Sequence, residues 1–171
     1  MKTMLACVDV QYGDEGNACA ACLLFEKWED AAARRELTAM ITGIADYVPG
    51  QFYLRELPCI LEVLKEIEED LDVIVVDGYA WLAEGKAGLG AHLYDALNGE
   101  IPVIGVAKNY FRGSEAIPVL RGVSEKPLYI TAAGIDPTVA AELVKTMDGE
   151  FRFPSLLQKV DRLCKDTLAA K

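Results

Sequence analysis

Asp72-Val73-Ile74-Val75-Val76-Asp77 is a run of four β-branched residues closed at both ends by carboxylates. An unbroken apolar run this short is what a central strand needs when helices cover both of its faces. Before it, from Pro58, the period is helical. Ile60, Leu61, Leu64 and Ile67 form an apolar stripe, with Pro58 tolerated in a first turn. After it, residues 87–98 read as a helix and residues 101–107 as another buried strand.

Outward from this centre, residues 4–12 and 17–27 read as strands, with Gly13-Asp14-Glu15-Gly16 as the hairpin turn between them. Residues 34–44 give a weaker third strand, and Tyr47-Val48-Pro49-Gly50 is a loop. Residues 116–131 read as a hairpin. Asp136-Pro137 caps and starts a helix to Met147, and Pro154 opens a terminal helix. A hairpin unit, then strand–helix alternation, then helices predict an α/β fold: a mixed sheet with helices on both faces.

The 171 residues, 52% hydrophobic, suit one domain with a full-sized core. No run of about 18 apolar residues exists to span a membrane. The start, Met1-Lys2-Thr3-Met4, lacks the basic-then-apolar layout of a signal peptide. Five scattered cysteines, Cys7, Cys19, Cys22, Cys59 and Cys164, fit a reducing cytoplasm. Cys19 and Cys22 have C-x-x-C spacing, but no second pair follows and His92 is the single histidine, so a four-ligand zinc site is not expected.

The net charge of −10 argues against a long basic groove for nucleic acid. It is unevenly spread. Residues 1–100 carry 7 Lys+Arg against 19 Asp+Glu, or −12, whereas residues 101–171 carry 10 against 8, or +2. The charge split leaves room for a small basic footprint only.

Asp9 interrupts an apolar strand and Asp77 ends one before Gly78. A lone carboxylate in such a place costs several kcal/mol unless paired or bound to metal. The carboxyl end of a central strand is also where open α/β sheets put ligands. Glu56 reads as lying at a strand-to-helix junction. Two readings stay open: Glu56 pairs with an arginine while Asp77 caps a helix, or the acids bind a hard ion such as Mg²⁺ or Mn²⁺. Lys108, after a buried strand, is either an exposed lysine or a phosphate holder.

The chain resembles the endonuclease V family, nucleases that cleave near deoxyinosine in DNA and inosine in RNA. The matching stretches are Val8–Tyr12, Tyr47–Gly50 running into Arg55-Glu56, Val75–Gly78, Gly88–Leu93, Ile101–Lys108 and Pro127–Ile130. They keep the family's order and extend from about Cys7 to Asp161. The resemblance implies a ribonuclease H-like fold over residues 1–171 as one domain. It implies a catalytic set of Asp9, Glu56, Asp77 and Lys108, with the three acids binding Mg²⁺, or Mn²⁺ as substitute. Tyr47, Val48 and Pro49 match a wedge that opens the duplex. Gly78 and Gly105 match glycines that let the backbone approach the flipped base, as base eversion requires.

Departures from the family accompany these matches. The family's Gly-x-x-His-Pro-Arg becomes Ala80, then Ala83, Glu84 and Gly85. Ala80 is expected to place a methyl in the path of a flipped base, and Glu84 is either a solvated loop charge or a stand-in for the lost histidine as a base or an extra ligand. Asp46 replaces the first wedge residue, Ala132-Ala133-Gly134 a Gly-His-basic segment, and the family's N-terminal extension is missing. His92 is expected to make a structural hydrogen bond, and Trp28 and Trp81 to pack rather than stack on bases.

The expected activity is metal-dependent hydrolysis of a phosphodiester near a deaminated base. The expected partner is a nucleic acid with an altered base, without a membrane. The rival readings are a catalytically weakened nucleic-acid-binding homologue and a ribonuclease H-fold nuclease with another substrate.

Overall fold

The computed structural model describes residues 4–170 except Ala45, Tyr47, Gly50 and Phe52. Strands β1 (Met4–Tyr12), β2 (Ala18–Phe25) and β3 (Arg35–Ile41) form an antiparallel meander. Helix α1 (Tyr53–Leu64) then crosses over to β4 (Leu71–Asp77), which lies parallel to β1. A short hairpin of β5 (Trp81–Ala83) and β6 (Lys86–Ala87) leads into α2 (Leu89–Ala96) and β7 (Val103–Ala107), parallel to β4. Strands β8 (Ile117–Val119) and β9 (Leu128–Ala133) complete the sheet antiparallel, before α3 (Pro137–Thr146) and α4 (Ser155–Ala169). The sheet order is β3-β2-β1-β4-β7-β9-β8. This is the expected mixed α/β sheet with helices on both faces, in the ribonuclease H-like plan.

The period of two along each strand divides the core. Leu5, Cys7, Leu23, Phe25, Val73 and Val75 face α3 and α4, while Ala6, Val8, Cys22, Leu24, Ile74 and Val76 face α1 and α2. Asp9 follows the parity of Cys7, and Asp77 that of Val75, so both acids point to the α4 side of the sheet. Cys19 and Cys22 fall in opposite clusters, and all five cysteines are buried and free. An i, i+3 spacing on a strand cannot bring two thiols to one ion.

Two expectations need correction. Pro58 lies inside α1, in its second turn, and Glu56 sits in the first turn rather than at a junction. Proline removes the N–H that would reach the Leu54 carbonyl, but Leu54 is 39% exposed and water can serve that acceptor. The β5–β6 hairpin was not expected. Its strands of three and two residues are too short to show a period.

Candidate active site

Parallel pairing of β1 with β4 sets the first two acids side by side. Val8 is partnered with Val76, and Asp9 and Asp77 follow one step beyond. Adjacent strands lie about 4.8 Å apart, so two carboxylates of the same parity repel at close range. Glu56 approaches from α1 and shares with Asp77 a cleft of about 510 Å³. A fourth acid, Asp161 on α4, completes the group. Asp9, Asp77, Asp161 and Lys108 all border a gap of about 10 Å³, close to what one water needs.

The electrostatics follow from this crowding. Burial, with Asp77 and Asp161 nearby, raises the Asp9 carboxyl to about 7 against a favourable hydrogen bond from Gln11. Burial and then the charges of Asp77 and Asp9 raise Glu56 to about 7, with Arg55 opposing. Burial also raises Asp77, opposed by Lys108 and Lys165 and reinforced by Asp161. Asp77 is exposed as a residue, but what it faces is the confined cleft, which keeps it poorly solvated. Among the described residues no lysine or arginine forms an ion pair with Asp9, Glu56 or Asp77. Asp161 is paired with Lys165 at 2.8 Å. The Gln11 side-chain amide donates to both Asp9 and Asp161 at 3.0 Å, tying β1 to α4.

The acids form a loose group. Among the described residues no three His, Cys, Asp or Glu side chains are already arranged as a cage for an ion. Their chemistry nevertheless suits a hard divalent cation: oxygen donors from separate elements, mutually repelling, beside a water-sized gap.

Lys108 follows β7 and borders both the cleft and the gap. Its ammonium lies 4.5 Å from the Phe153 ring centroid, and its carbonyl accepts a hydrogen bond from Arg152. Arg152 also donates to the Pro127 carbonyl, which fixes the end of β7. Gly78 lines the cleft at φ +130, a conformation open to glycine, and donates its N–H to Val106. Gly105 lies beneath. A Cβ there would come within 2.5 Å of the Ala80 nitrogen and 2.6 Å of the Gly78 oxygen, so glycine lets the 78–80 segment rest on β7.

Ala80 does not reach the cleft. It is fully buried, its N–H donates to Thr131 Oγ1 at 2.7 Å, and it packs with Ala91 and Ala133. The expected obstruction by its methyl is therefore withdrawn. Ala83 and Glu84 line a second cavity of about 300 Å³ with Trp81 and Glu115, whereas Glu56 and Asp77 line the first. Glu84 is thus not placed to replace a histidine at the acids. The His92 ring stacks on Tyr53 at 3.6 Å instead of making the expected hydrogen bond, and Tyr53 in turn lines the cleft. Trp28 packs edge-on against Phe25, and Trp81 is 40% exposed. Val48 and Pro49 are exposed ahead of α1, while Tyr47 lies outside the described residues.

Sequence reasoning missed Asp161, Gln11 and Lys86. Gln11 carried a signal, since it shares the parity of Asp9 on one strand. Asp161 and Lys165, four apart on an amphipathic helix, look like any surface pair.

Acids at the carboxyl ends of parallel strands, beside a cleft and a lysine at the end of β7, sit in an α/β sheet of the ribonuclease H-like class. Comparison with known proteins narrows the class. The family model described as Endonuclease V matches residues 1–135. Endonuclease V of Streptomyces coelicolor is 31% identical over 94% of this chain and 77% of its own. That of Rhodospirillum centenum is 33% identical over 88% and 72%. The chain belongs to the endonuclease V family, a family of nucleases.

The crystal structure of the Streptomyces avermitilis endonuclease V superposes with a TM-score of 0.80 at 28% identity, covering 98% of this chain and 82% of that one. The Ciona intestinalis endonuclease V, solved with DNA containing an inosine, shares the fold at a TM-score of 0.81 and 19% identity, covering 98% and 86%.

Proposed function

We propose that this protein is a metal-dependent endonuclease that hydrolyses a phosphodiester near a deaminated base, inosine, in DNA or RNA. The observation that carries the reading is the gathering of Asp9, Glu56 and Asp77, without cationic partners among the described residues, beside a cleft of about 510 Å³. That volume lies within the range of small-ligand sites. Asp9, Glu56 and Asp77 would hold Mg²⁺, with Mn²⁺ as substitute. Such an ion supplies a lowered pKa for water and neutralises charge on a phosphodiester.

The chain's own groups do the remaining work. Lys108 steadies the phosphate, held in place through Arg152 and Phe153. Gly78 lets the backbone lie close to the base. Gln11 keeps Asp9 oriented, and Tyr47 with the exposed Val48 and Pro49 serves as the wedge. The Ciona relative's complex with DNA containing an inosine supports a flipped base as occupant of the cleft. Among the described residues no helix is long and apolar enough to cross a membrane. Five free thiols favour the cytoplasm as its location.

A nucleic-acid-binding homologue that cuts poorly is the second reading, favoured by Ala83 in place of the family histidine. Single-turnover assays on end-labelled strands, with and without inosine, in Mg²⁺ or EDTA, decide between them. The first reading expects Mg²⁺-dependent cutting of the inosine strand. Binding without cutting selects the second, and equal cutting of both strands refutes the inosine assignment.

A further inference from the structure

Lys86 and Phe111 face each other in the cleft that Glu56 and Asp77 also line, and no step described above uses either. Lys86 opens β6, where pairing with Ala83 around Gly85 (φ +70) fixes its position. Its ammonium lies 5.4 Å from the Phe111 ring centroid, within cation–π reach, and among the described residues it forms no ion pair. Phe111 is 38% exposed, a large apolar ring open to the cleft.

That ring is not adrift. The Tyr79 hydroxyl accepts from the Phe111 N–H at 2.8 Å and donates to the Asn109 carbonyl at 2.7 Å. The Tyr79 ring meets Phe111 edge-on at 6.0 Å. One phenol therefore clamps the loop after β7 to the segment after β4. A fixed ring face with a cation over it, in a cleft that also carries Lys108, is suited to a group that is flat on one side and anionic on the other. A nucleotide has that form: base–aromatic stacking and phosphate–lysine attraction act on different parts of it.

We propose that Lys86 and Phe111 form a nucleotide-gripping pair, Phe111 taking a base on its face and Lys86 the adjoining phosphate. This rests on the reading that the cleft receives a nucleic-acid strand.

The test is fluorescence anisotropy with a 5′-fluorescein single-stranded oligonucleotide containing one inosine, in EDTA so that nothing is cut, across a KCl series. Lys86→Ala is expected to weaken binding and flatten the slope of log K against log[salt] by about 0.7–1. Phe111→Leu is expected to weaken binding roughly tenfold with an unchanged slope, and Phe111→Tyr to restore it. Lys145→Ala, on exposed α3 away from the cleft, is the control and should keep the wild-type slope. Circular dichroism checks that each variant is folded.

Wild-type affinity and slope in both Lys86→Ala and Phe111→Leu overturn the pair. If the wild type binds but fails to cut in Mg²⁺ while both variants bind as expected, cleavage is refuted and the pair stands. A wild type that binds no strand overturns both.

Discussion

Asp9 and Asp77 reach the same side of the sheet because both strands keep one parity and run parallel, so their repulsion is built into the register. Both were legible in the sequence, since a carboxylate inside or at the end of an apolar run has few reasons to be there. Asp161 and Lys86 were not legible, because each lies on a surface element where charge is ordinary, and only the fold brings them to the site.

The raised carboxyls make a signed prediction. Asp9 stands at about 7 in the folded chain against 3.8 ordinarily, so between those values the folded state binds more protons than the unfolded state. Stability of the metal-free protein therefore falls as pH rises through this window and levels off above it. Asp9→Asn removes the penalty. In EDTA at pH 8 this variant should be more stable than wild type, by on the order of a few kcal/mol, and the gap should close towards pH 4 in urea melts. A wild type that outlasts the variant at pH 8 would reverse the electrostatic account. Asp77→Asn removes a charge and almost no volume. It should lower Mg²⁺-dependent cleavage by more than roughly 100-fold, beyond the loss expected from disturbing a ligand's supporting partner, while circular dichroism stays unchanged.

Among the elements, β4 and β7 carry the site, and the glycine in β7 is what allows the 78–80 segment to lie over it. Gly105→Ala would drive a methyl into the Ala80 nitrogen, the Gly78 oxygen and Thr131 Oγ1, none more than 2.7 Å away. Most of that is backbone and cannot swing aside. Loss of about 2–3 kcal/mol is expected, with activity falling as the cleft floor shifts. Unaltered denaturant midpoint and rate would show the fit is looser than the distances indicate. Asp136 caps α3 by accepting from Thr138 and Val139, at 2.7 and 3.4 Å. Asp136→Ala should cost about 1 kcal/mol and leave cleavage alone, since α3 lies apart from the cleft. The strands and this cap could be read from period and capping chemistry. The start of α1 could not, because Pro58 resembles a first-turn proline while Tyr53–Leu57 already form a turn before it. The β5–β6 hairpin, which aims Leu82 and Lys86 at one cavity and Ala83 and Glu84 at another, is decided by tertiary packing.

Across the whole molecule, a net charge of −10 and a nucleic-acid substrate are reconciled by where the charges lie. Lys108, Arg152 and Arg162 share a recess of about 320 Å³ next to the acids, and Lys86 and Lys108 share the cleft. The proposed function therefore joins a local cationic border to an acidic centre whose charge the proposed divalent ion would neutralise. Anomalous diffraction from a crystal soaked in Mn²⁺ tests this most directly. The account predicts an ion contacted by Asp9, Glu56 and Asp77 oxygens at about 2.0–2.2 Å, the three side chains having closed from their loose arrangement. A fully occupied Mn²⁺ elsewhere on the surface, with these three carboxylates still apart and bare, would contradict it.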